Sequence, residues 1–409
     1  MLEGLEICEV PFSRVIGNDI VRMESEFYNS NTVSYKNTVK ASQIIDFSQY
    51  GTSKELNEMG EGYPVLRLNE FNYSFISHPD KYCSLLDIDA YHGLQLKKDD
   101  VLICRTNGNP KFVGRSAIVP KDYDYAFASY LFRIRPNRKY INSATLVAFL
   151  NSKYGRLEIE KYSMVGNQAN FSPAKFREIS IPVFSKDLND KIEDITYRAF
   201  QKLEMSESLY SEAANNMLEC LDLNDFTASS NSCNVKTLKE SFIETGRLDA
   251  EYYQPKYDSL FEKLKGFPTA TIKEIATIQK SIEPGSDAYQ EEGIPFIRVA
   301  NLSKFGLSNS DVKLETTKFA DTIRPQKDTI LLSKDGSVGI AYKMEETQDV
   351  ITSSAILHLQ LTTPNVLPDY LTLVLNSIVV KLQAERDAGG SIIQHWKPSE
   401  IKHVIIPIL

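Results

Sequence analysis

The chain has 409 residues, of which 42% are hydrophobic and 24% charged, and these proportions are typical of a soluble protein with two or three domains. It contains no run of about 18 apolar residues and its N-terminus lacks a secretory signal, so we expect a cytoplasmic protein without a membrane span. The net charge of −8 counts against a uniformly basic nucleic-acid-binding surface, although it does not exclude one basic face.

Two short stretches indicate a tandem duplication. Arg22–Tyr28 reads Arg-Met-Glu-Ser-Glu-Phe-Tyr, and 225 positions later Arg247–Tyr253 reads Arg-Leu-Asp-Ala-Glu-Tyr-Tyr. Pro182 recurs as Pro407 at the same offset. A repeat of this kind implies that each half of the chain is one copy of the same folded unit. We expect the repeated stretch to mark where each half begins and to clamp the domain of that half to a helical spacer.

The first pair of matched segments predicts equivalent β-strands. Gly62 and Gly293 are each followed by a proline two residues later and then by alternating residues, which is typical of an entering strand. The arginine five positions after each glycine, Arg67 or Arg298, therefore occupies an equivalent place. Each of these arginines either contacts phosphate or pairs with a carboxylate inside its domain.

The second pair of matched segments predicts hairpins. Residues 100–119 and 328–341 each contain an apolar strand, a polar turn with glycines and a returning strand. Judged from the glycine spacing, the turn between Gly108 and Gly114 is three residues longer than the turn between Gly336 and Gly339. A loop that differs between two copies of one scaffold is a place where different specificities can be encoded.

Each copy then continues with a strand, two helices, a glycine-led polar loop and a last strand. The strand, first helix, closing loop and last strand cover residues 128–134, 143–154, 165–173 and 179–182 in the first copy, and 353–361, 368–378, 389–398 and 404–407 in the second. Strands that precede helices predict an α+β fold, here as two tandem homologous domains, each with a mixed β-sheet and helices.

A long amphipathic helix is predicted between the two copies. Apolar residues recur every three or four positions from Leu188 to Leu221 without Gly or Pro, which corresponds to about 50 Å of helix. A single apolar stripe on such a helix needs a partner helix, so we expect it to pack as a coiled coil. Residues 224–234 are typical of a flexible linker. A second spacer helix would be expected after Pro407 and is missing.

The sequence contains no motif for catalysis. It has no glycine-rich methyl-donor or phosphate loop. Its five cysteines and five histidines are scattered, without the spacing of metal ligands. We therefore expect no enzymatic activity, no cofactor and no bound metal.

Two unlike polar units on one spacer suit a ligand with two spaced sites, such as duplex DNA. The order of the two Asp-led hairpins, the two closing segments that end in Pro182 and Pro407, and the stretch Arg247–Tyr253 resembles the specificity subunit of type I restriction–modification systems over almost the whole chain. The chain departs from that family by lacking its distal conserved helix, which puts in question the intramolecular coiled coil.

The resemblance implies a non-catalytic protein that recognises a bipartite, asymmetric DNA sequence and directs methylation and restriction by partner subunits. The implied partners are double-stranded DNA, two modification (methyltransferase) subunits and, through them, restriction subunits; self-association through the unpaired spacer helix is a further option. The implied domains are a first target recognition domain with an N-terminal arm (1–182), a helical spacer with linker (183–234) and a second target recognition domain (235–409). Two alternatives are the recognition subunit of a combined restriction–methyltransferase enzyme and a repeat scaffold that binds only protein.

Base recognition in DNA uses Arg or Lys for guanine and Asn or Gln for adenine. For any one turn residue, a solvated turn without a ligand is the alternative. Trp396, the single tryptophan, either stacks on DNA or belongs to the core, and the core is favoured. The predicted DNA-binding residues come from the hairpin turns and the closing loops, and they are Arg105, Asn107, Asn109, Lys111, Arg115, Asn167, Gln168, Asn170, Lys334, Asp335, Ser337, Gln394, His395, Trp396 and Lys397.

Overall fold

The computed structural model describes residues 9–16, 21, 23, 25–29, 35–163, 169–231, 233–388 and 394–409. The chain divides into two compact units, residues 1–207 and 208–409. Each unit contains both helices and sheets, and one long helix runs from the first unit into the second. The predicted α+β class, with two domains joined by a long helix, is confirmed. Within the described residues, no helix is long and apolar enough to cross a membrane.

The first unit consists of short strands and helices. Its strands are β1 (Thr38–Lys40), β2 (Ile45–Tyr50), β3 (Tyr63–Leu66), β4 (Phe71–Asn72), β5 (Phe75–Ile76), β6 (Tyr82–Cys83), β7 (Val101–Cys104), β8 (Ser116–Ile118), β9 (Ala126–Phe127), β10 (Leu131–Pro136) and β11 (Ser180–Pro182). Its helices are α1 (Phe12–Ile16), α2 (Ser25–Asn29), α3 (Ala41–Ile44), α4 (Ile88–Leu94), α5 (Ser143–Asn151), α6 (Lys153–Tyr162) and α7 (Pro173–Glu178).

The second unit repeats this pattern after the long helix α8 (Lys186–Cys220). Its strands are β12 (Thr269–Thr271), β13 (Ala276–Lys280), β14 (Ile294–Ile297), β15 (Leu302–Ser303), β16 (Gly306–Leu307), β17 (Lys313–Leu314), β18 (Ile330–Ser333), β19 (Ala341–Lys343), β20 (Ile351–Thr352), β21 (Ile356–Leu361) and β22 (Ile405–Pro407). Its helices are α9 (Pro255–Leu264), α10 (Ile272–Ile275), α11 (Pro368–Leu375), α12 (Ile378–Asp387) and α13 (Pro398–Ile401).

The sheets of the two units correspond one to one. An antiparallel four-stranded sheet has the order β2-β10-β7-β8 in the first unit and β13-β21-β18-β19 in the second. A three-stranded sheet, β6-β3-β9 or β17-β14-β20, contains one parallel pair in each unit. The pairs β1-β11 and β12-β22 join the start of each unit to its end, and the small hairpins β4-β5 and β15-β16 also match. The two halves of the sequence therefore have the same topology.

The backbone conformation before each matched strand requires a glycine. Gly62 and Gly293 have φ angles of 88° and 117°, which side-chain-bearing residues rarely adopt. A Cβ atom at Gly62 would lie 2.2 Å from the carbonyl oxygen of Cys83, and one at Gly293 would lie 2.2 Å from that of Leu314. The close approach of two strands therefore demands glycine at both equivalent places.

The first of the two successive helices in each unit is shorter than predicted, because a serine caps the start of the second helix. In the first unit Ser152 follows α5, and its hydroxyl accepts a hydrogen bond from the backbone N–H of Gly155 as the N-cap of α6. In the second unit Ser377 caps α12 in the same way, through the N–H of Val379. The predicted helices 143–154 and 368–378 therefore run across the boundary between two helices.

The long helix distributes its apolar residues between the two units and solvent. Phe200 is buried in a core of the first unit, and Met217 is buried in a core of the second. Four large apolar side chains of α8 are exposed: Leu188, Ile195, Met205 and Leu209. The observed helix, Lys186–Cys220, agrees with the predicted span to within two residues at each end. Its packing as a coiled coil stays a prediction.

The repeated stretch contacts the helix that precedes the closing loop. In the second unit, the Arg386 guanidinium of α12 lies 4.8 Å from the ring centre of Tyr252. In the first unit, the Lys161 ammonium of α6 lies 5.0 Å from the ring centre of Phe27. These cation–π contacts fasten the stretch to its own domain. The clamp between this stretch and the helical spacer stays a prediction. Positions 22 and 24 of the first stretch lie outside the described residues.

The central sheet of each unit is covered on both faces, so polar residues in it are buried. In the first unit Arg133 on β10 pairs with Asp100 at 3.0 Å, and their side chains are 3% and 0% exposed. At the equivalent places in the second unit stand His358 and Thr329, both buried. The His358 Nε2 atom lies 2.8 Å from the hydroxyl of Thr352. One unit thus buries a charged pair where the other buries neutral groups.

Stability of the second unit is expected to fall in mild acid because His358 cannot be charged in place. Burial lowers the pKa of His358 from 6.5 to about 4. The unfolded chain then binds more protons than the folded chain between these values, so the stabilisation is complete above pH 6.5 and is lost as pH falls towards 4. We expect a loss of about 2 kcal/mol in the free energy of unfolding between about pH 7 and about pH 5, measured by urea denaturation.

The variant His358→Gln removes the titrating group and should make this part of the pH profile flatter. The exposed His403 of the same unit provides the control. His403→Gln should retain the acid sensitivity of the parent chain. An unchanged pH profile in His358→Gln would contradict the assignment.

Candidate nucleic-acid interface

In the first unit, the turn between β7 and β8 meets the closing loop. Thr106 forms a β-bridge with Asn170, and the backbone N–H of Phe171 donates to the carbonyl of Arg105 at 2.8 Å. The hydroxyl of Thr106 also donates to the carbonyl of Ala169 at 3.3 Å. Two loops that are about 60 residues apart in the sequence are therefore joined by backbone hydrogen bonds.

The second unit forms the same junction. Asp335 forms a β-bridge with His395, and the backbone N–H of Trp396 donates to the carbonyl of Lys334 at 2.8 Å. The backbone N–H of Gly336 donates to the carbonyl of Gln394 at 3.1 Å. In both units, the hairpin turn and the described part of the closing loop that were predicted from the sequence therefore lie together. We call each such meeting of turn and closing loop the turn–loop junction.

The hairpin turns differ by four residues, so the expected difference of three was wrong. The turn covers 105–115 in the first unit and 334–340 in the second. Gly114 and Gly339 are equivalent, because both have a positive φ and donate to the last residue of the preceding strand, Cys104 at 2.8 Å and Ser333 at 2.9 Å. Gly108 and Gly336 are not equivalent, because only Gly336 has a positive φ. The spacing from Gly108 to Gly114 and from Gly336 to Gly339 therefore does not give the difference in turn length.

Arg105 is the most distinctive side chain of the first junction. Its guanidinium carbon lies 5.2 Å from the ring centre of Tyr50 at the end of β2. The Arg105 Nε atom is buried and has no hydrogen-bond partner among the described residues. Tyr50 is 45% exposed, so it supports the arginine from one side at the protein surface. No signal in the sequence pointed to Tyr50, because it belongs to neither the hairpin turn nor the closing loop.

The other turn residues of the first unit shape the loop. The side-chain oxygen of Asn107 accepts from the N–H of Asn109 at 2.8 Å, and that of Asn109 accepts from the N–H of Lys111 at 3.1 Å. Lys111 is exposed, and the Arg115 guanidinium lies 5.2 Å from the ring centre of Phe112. Together with Arg105, the turn therefore carries three cations at one edge of the sheet.

In the first closing loop, only part of the predicted set can be placed. Asn170 is partly exposed, and its carbonyl accepts a hydrogen bond from the ammonium of Lys175 at 2.7 Å. The predicted residues Asn167 and Gln168 lie outside the described residues.

The second junction has a different charge pattern. The ammonium of Lys334 pairs with Asp335, and the other oxygen of that carboxylate lies 2.9 Å from Nδ1 of His395. The Lys334 side chain is only 12% exposed, whereas that of His395 is 64% exposed. The turn cation of this unit is therefore neutralised within the protein.

The remaining residues of the second junction belong to the same turn and closing loop as Lys334, Asp335 and His395. The backbone carbonyl of Ser337 accepts from the hydroxyl of Ser333 at 2.6 Å, and Ser337 itself is exposed. Gln394 and Lys397 are also exposed. The junction thus presents mixed polar groups with little excess of positive charge.

Trp396 is a core residue and not a surface contact. Its side chain is fully buried in the main core of the second unit, at the place that the equally buried Phe171 occupies in the first. A large aromatic ring at this place anchors the closing loop to the sheet, so the ring has no exposed face for a base. Its predicted contact with DNA is therefore corrected to a packing role.

The two matched arginines are in different environments. The Arg67 guanidinium donates to the buried Glu70 carboxylate at 2.8 Å and also pairs with Asp80. It borders a cleft of about 300 Å³ next to the turn residues Thr106, Asn107 and Gly108. Arg298, by contrast, is exposed. The alternative of a pair inside the domain therefore applies to Arg67.

Comparison with known proteins gives a family match within the second unit. Residues 265–408 match the family described as the type I restriction modification DNA specificity domain. The specificity subunit of the type I restriction enzyme StySPI from Salmonella potsdam is 24% identical over 135 residues, which are 33% of this chain and 29% of that protein. The matched part therefore spans less than a third of the curated relative.

Solved structures of type I subunits are also similar to this chain. The HsdS subunit from Thermoanaerobacter tengcongensis has 14% identity and a TM-score of 0.31, over 92% of this chain and 87% of that one. The S subunit of a type I restriction–modification system from M. genitalium has 12% identity and a TM-score of 0.35, over 93% and 86%. The resemblance to type I specificity subunits that the sequence motifs predicted is confirmed for residues 265–408, which match the type I restriction modification DNA specificity domain.

Proposed function

We propose that the chain is the DNA-recognition subunit of a type I restriction–modification system, in which each unit reads one half of a bipartite, asymmetric site. The observation that supports this proposal most strongly is the turn–loop junction, which recurs in both units on the same backbone hydrogen bonds. An asymmetric target requires two heads of the same architecture with different side chains. The junctions meet this requirement, because one carries three cations and the other a neutralised Lys334–Asp335 pair beside His395.

The proposed contacts follow from the chemistry of base edges. Arg105, Lys111 and Arg115 suit guanine, and the amides of the predicted set suit adenine. In the second unit, Gln394, His395 and Lys397 are exposed at the junction, and we assign base contacts to them, with Asp335 and Ser337 beside them. Asn167 and Gln168 belong to the same proposal through their place in the closing loop.

The proposed partners are two modification subunits and, through them, restriction subunits. The exposed apolar residues of α8, Leu188, Ile195, Met205 and Leu209, support helix-to-helix docking by a partner or by a second copy of this chain. The methyl donor and ATP would be bound by the partners. The assembly would work in the cytoplasm, where its DNA is found.

The proposal is tested by a gel shift with the full chain and its co-expressed modification subunit. We expect a shift of duplexes that this complex methylates, and a much weaker shift of duplexes with a scrambled sequence in either half-site. Failure to shift any duplex that the complex methylates would overturn the proposal in favour of a protein-binding scaffold.

A further inference from the structure

Arg67 and Arg298 occupy the same backbone position at the ends of β3 and β14. Three residues after each arginine, the carbonyl of Glu70 accepts from the N–H of Ser77 at 2.8 Å, and that of Asn301 accepts from the N–H of Ser308 at 2.8 Å. Glu70 and Asn301 are therefore equivalent. The carboxylate of one unit is replaced by an amide in the other.

The carboxylate neutralises Arg67. One oxygen of Glu70 accepts from the backbone N–H of Arg67 at 2.6 Å, and the other accepts from its guanidinium at 2.8 Å. Because a carboxylate has two acceptor oxygens, it serves both groups at once. The Arg67 side chain is consequently only 17% exposed.

The amide cannot do the same for Arg298. The single oxygen of Asn301 accepts from the backbone N–H of Arg298 at 3.1 Å, while its amide nitrogen donates to the carbonyl of Asn309 at 3.2 Å. The Asn301 amide is neutral, so it offers the guanidinium no negative charge. Among the described residues, the Arg298 guanidinium forms no ion pair, and the residue is exposed.

Arg298 also stands beside the second turn–loop junction. The carbonyl of Ile297 accepts from the N–H of Ser353 at 2.8 Å, and two residues later the carbonyl of Ala355 accepts from the N–H of Lys334 at 2.9 Å. One short segment, 353–355, thus connects the arginine strand to the hairpin turn. The arrangement matches the first unit, where Arg67 borders the same cleft as Asn107.

The cations of the two units are therefore used in opposite ways. In the first unit Arg67 is paired inside the protein and Arg105 at the turn is unpaired within the described residues. In the second unit Lys334 at the turn is paired and Arg298 is unpaired within the same limits. Of the two equivalent positions compared, 67/298 and 105/334, each unit leaves one cation without a carboxylate partner among the described residues, and the position differs between the units.

We propose that Arg298 contacts a DNA phosphate and supplies the second unit with the anchoring charge that Lys334 does not provide. This inference rests on the proposed function and adds a residue and a role to it. A phosphate fits because the cation lies next to the junction and not within it, and phosphates flank the base edges that the junction would read. Such a contact fixes the position of the protein on the duplex without selecting a base.

The test measures the salt dependence of DNA binding by the full chain in complex with its modification subunits. Arg298→Ala should reduce the slope of log K against log salt concentration by about 1, and should weaken binding about equally for cognate and mismatched duplexes. Arg298→Lys should preserve the slope, because a phosphate contact needs charge and not the guanidinium fork. Asn301→Glu should imitate Arg298→Ala by recreating the ion pair of the first unit.

Lys265 on the surface of the second unit provides the matched control, because its side chain is 69% exposed and, among the described residues, pairs only with Glu262 three residues away. Lys265→Ala should leave the slope unchanged. A slope for Arg298→Ala equal to that of the parent complex would overturn the inference, as would a loss confined to one base position. Failure of the parent complex to bind DNA would instead overturn the proposed function.

Discussion

Replacement of Asp100 by Ala is expected to lower the free energy of unfolding of the first unit by about 3–5 kcal/mol, because it leaves the buried guanidinium of Arg133 without its counter-ion. The Asp100 side chain is fully buried, and it also accepts from Arg135 at 2.5 Å. Arg133 has further acceptors in the carbonyls of Gln95 at 2.7 Å and Gly93 at 2.9 Å, but neither carries a full charge. Urea denaturation of the full chain should show the transition of the first unit shifted and that of the second unchanged.

Two matched variants sharpen this test. Arg138→Ala removes a surface cation that pairs with Asp99 and Glu193 and is 57% exposed, so it should cost only about 0–1 kcal/mol. The double variant Asp100→Thr with Arg133→His installs the neutral residues that stand at the equivalent places in the second unit, and it should be more stable than Asp100→Ala. A cost for Asp100→Ala no larger than for Arg138→Ala would contradict the buried pair.

Replacement of Arg105 by Ala is expected to weaken binding to the cognate duplex by about 1–3 kcal/mol, or roughly 5-fold to 150-fold, because it removes the guanidinium held on Tyr50 at the first junction. The effect should be confined to one half-site, since the second unit has its own junction. Mismatched duplexes of that half-site should bind the variant almost as well as the cognate duplex. Competition gel shifts with each half-site varied separately measure the effect.

Lys121 is a suitable control for this variant. It belongs to the same unit, is 52% exposed and pairs with Glu204 on α8. Lys121→Ala should preserve the preference at both half-sites. Equal losses at both half-sites in Arg105→Ala would argue against two independent reading heads.

The strands were predictable from the sequence where apolar and polar residues alternate and where a glycine is required by a close backbone contact. The segments after Gly62 and Gly293 form β3 and β14, because the close strand approach at each glycine excludes a Cβ atom. The long helix was predictable because its three- and four-residue spacing persists without an interrupting Gly or Pro. These features depend on neighbours in the sequence, so local patterns are sufficient to identify them.

Burial of charge was not predictable, because it depends on what covers the second face of a sheet. The order Phe132, Arg133, Ile134 indicates a strand with one polar face. In the structure, Phe132 and Ile134 lie on one face of the strand and pack into one core. Leu131 and Arg133 lie on the opposite face, where Leu131 packs into a second core. A sheet with two covered faces places Arg133 inside, where Asp100, 33 residues away in the sequence, supplies the counter-charge.

The candidate site was predictable as a pair of loops but not in its charge pattern. Loop composition identified the hairpin turns and closing loops, and backbone bridges bring them together. Whether an arginine is available to a ligand depends on the side chains that pair with it. Glu70 removes Arg67 from the surface, whereas Asn301 leaves Arg298 exposed. The change from Glu70 in one copy to Asn301 in the other acquires this meaning only once the contacts are known.

The most direct test of two reading heads on one chain is selection of bound duplexes from a randomised library, using the full chain with its modification subunits. We predict two separate blocks of specified bases with a constant unspecified gap between them. With Arg105→Ala, one block should lose specified positions while the other block and the gap stay the same. A single continuous block, or erosion of both blocks by this one substitution, would contradict the account.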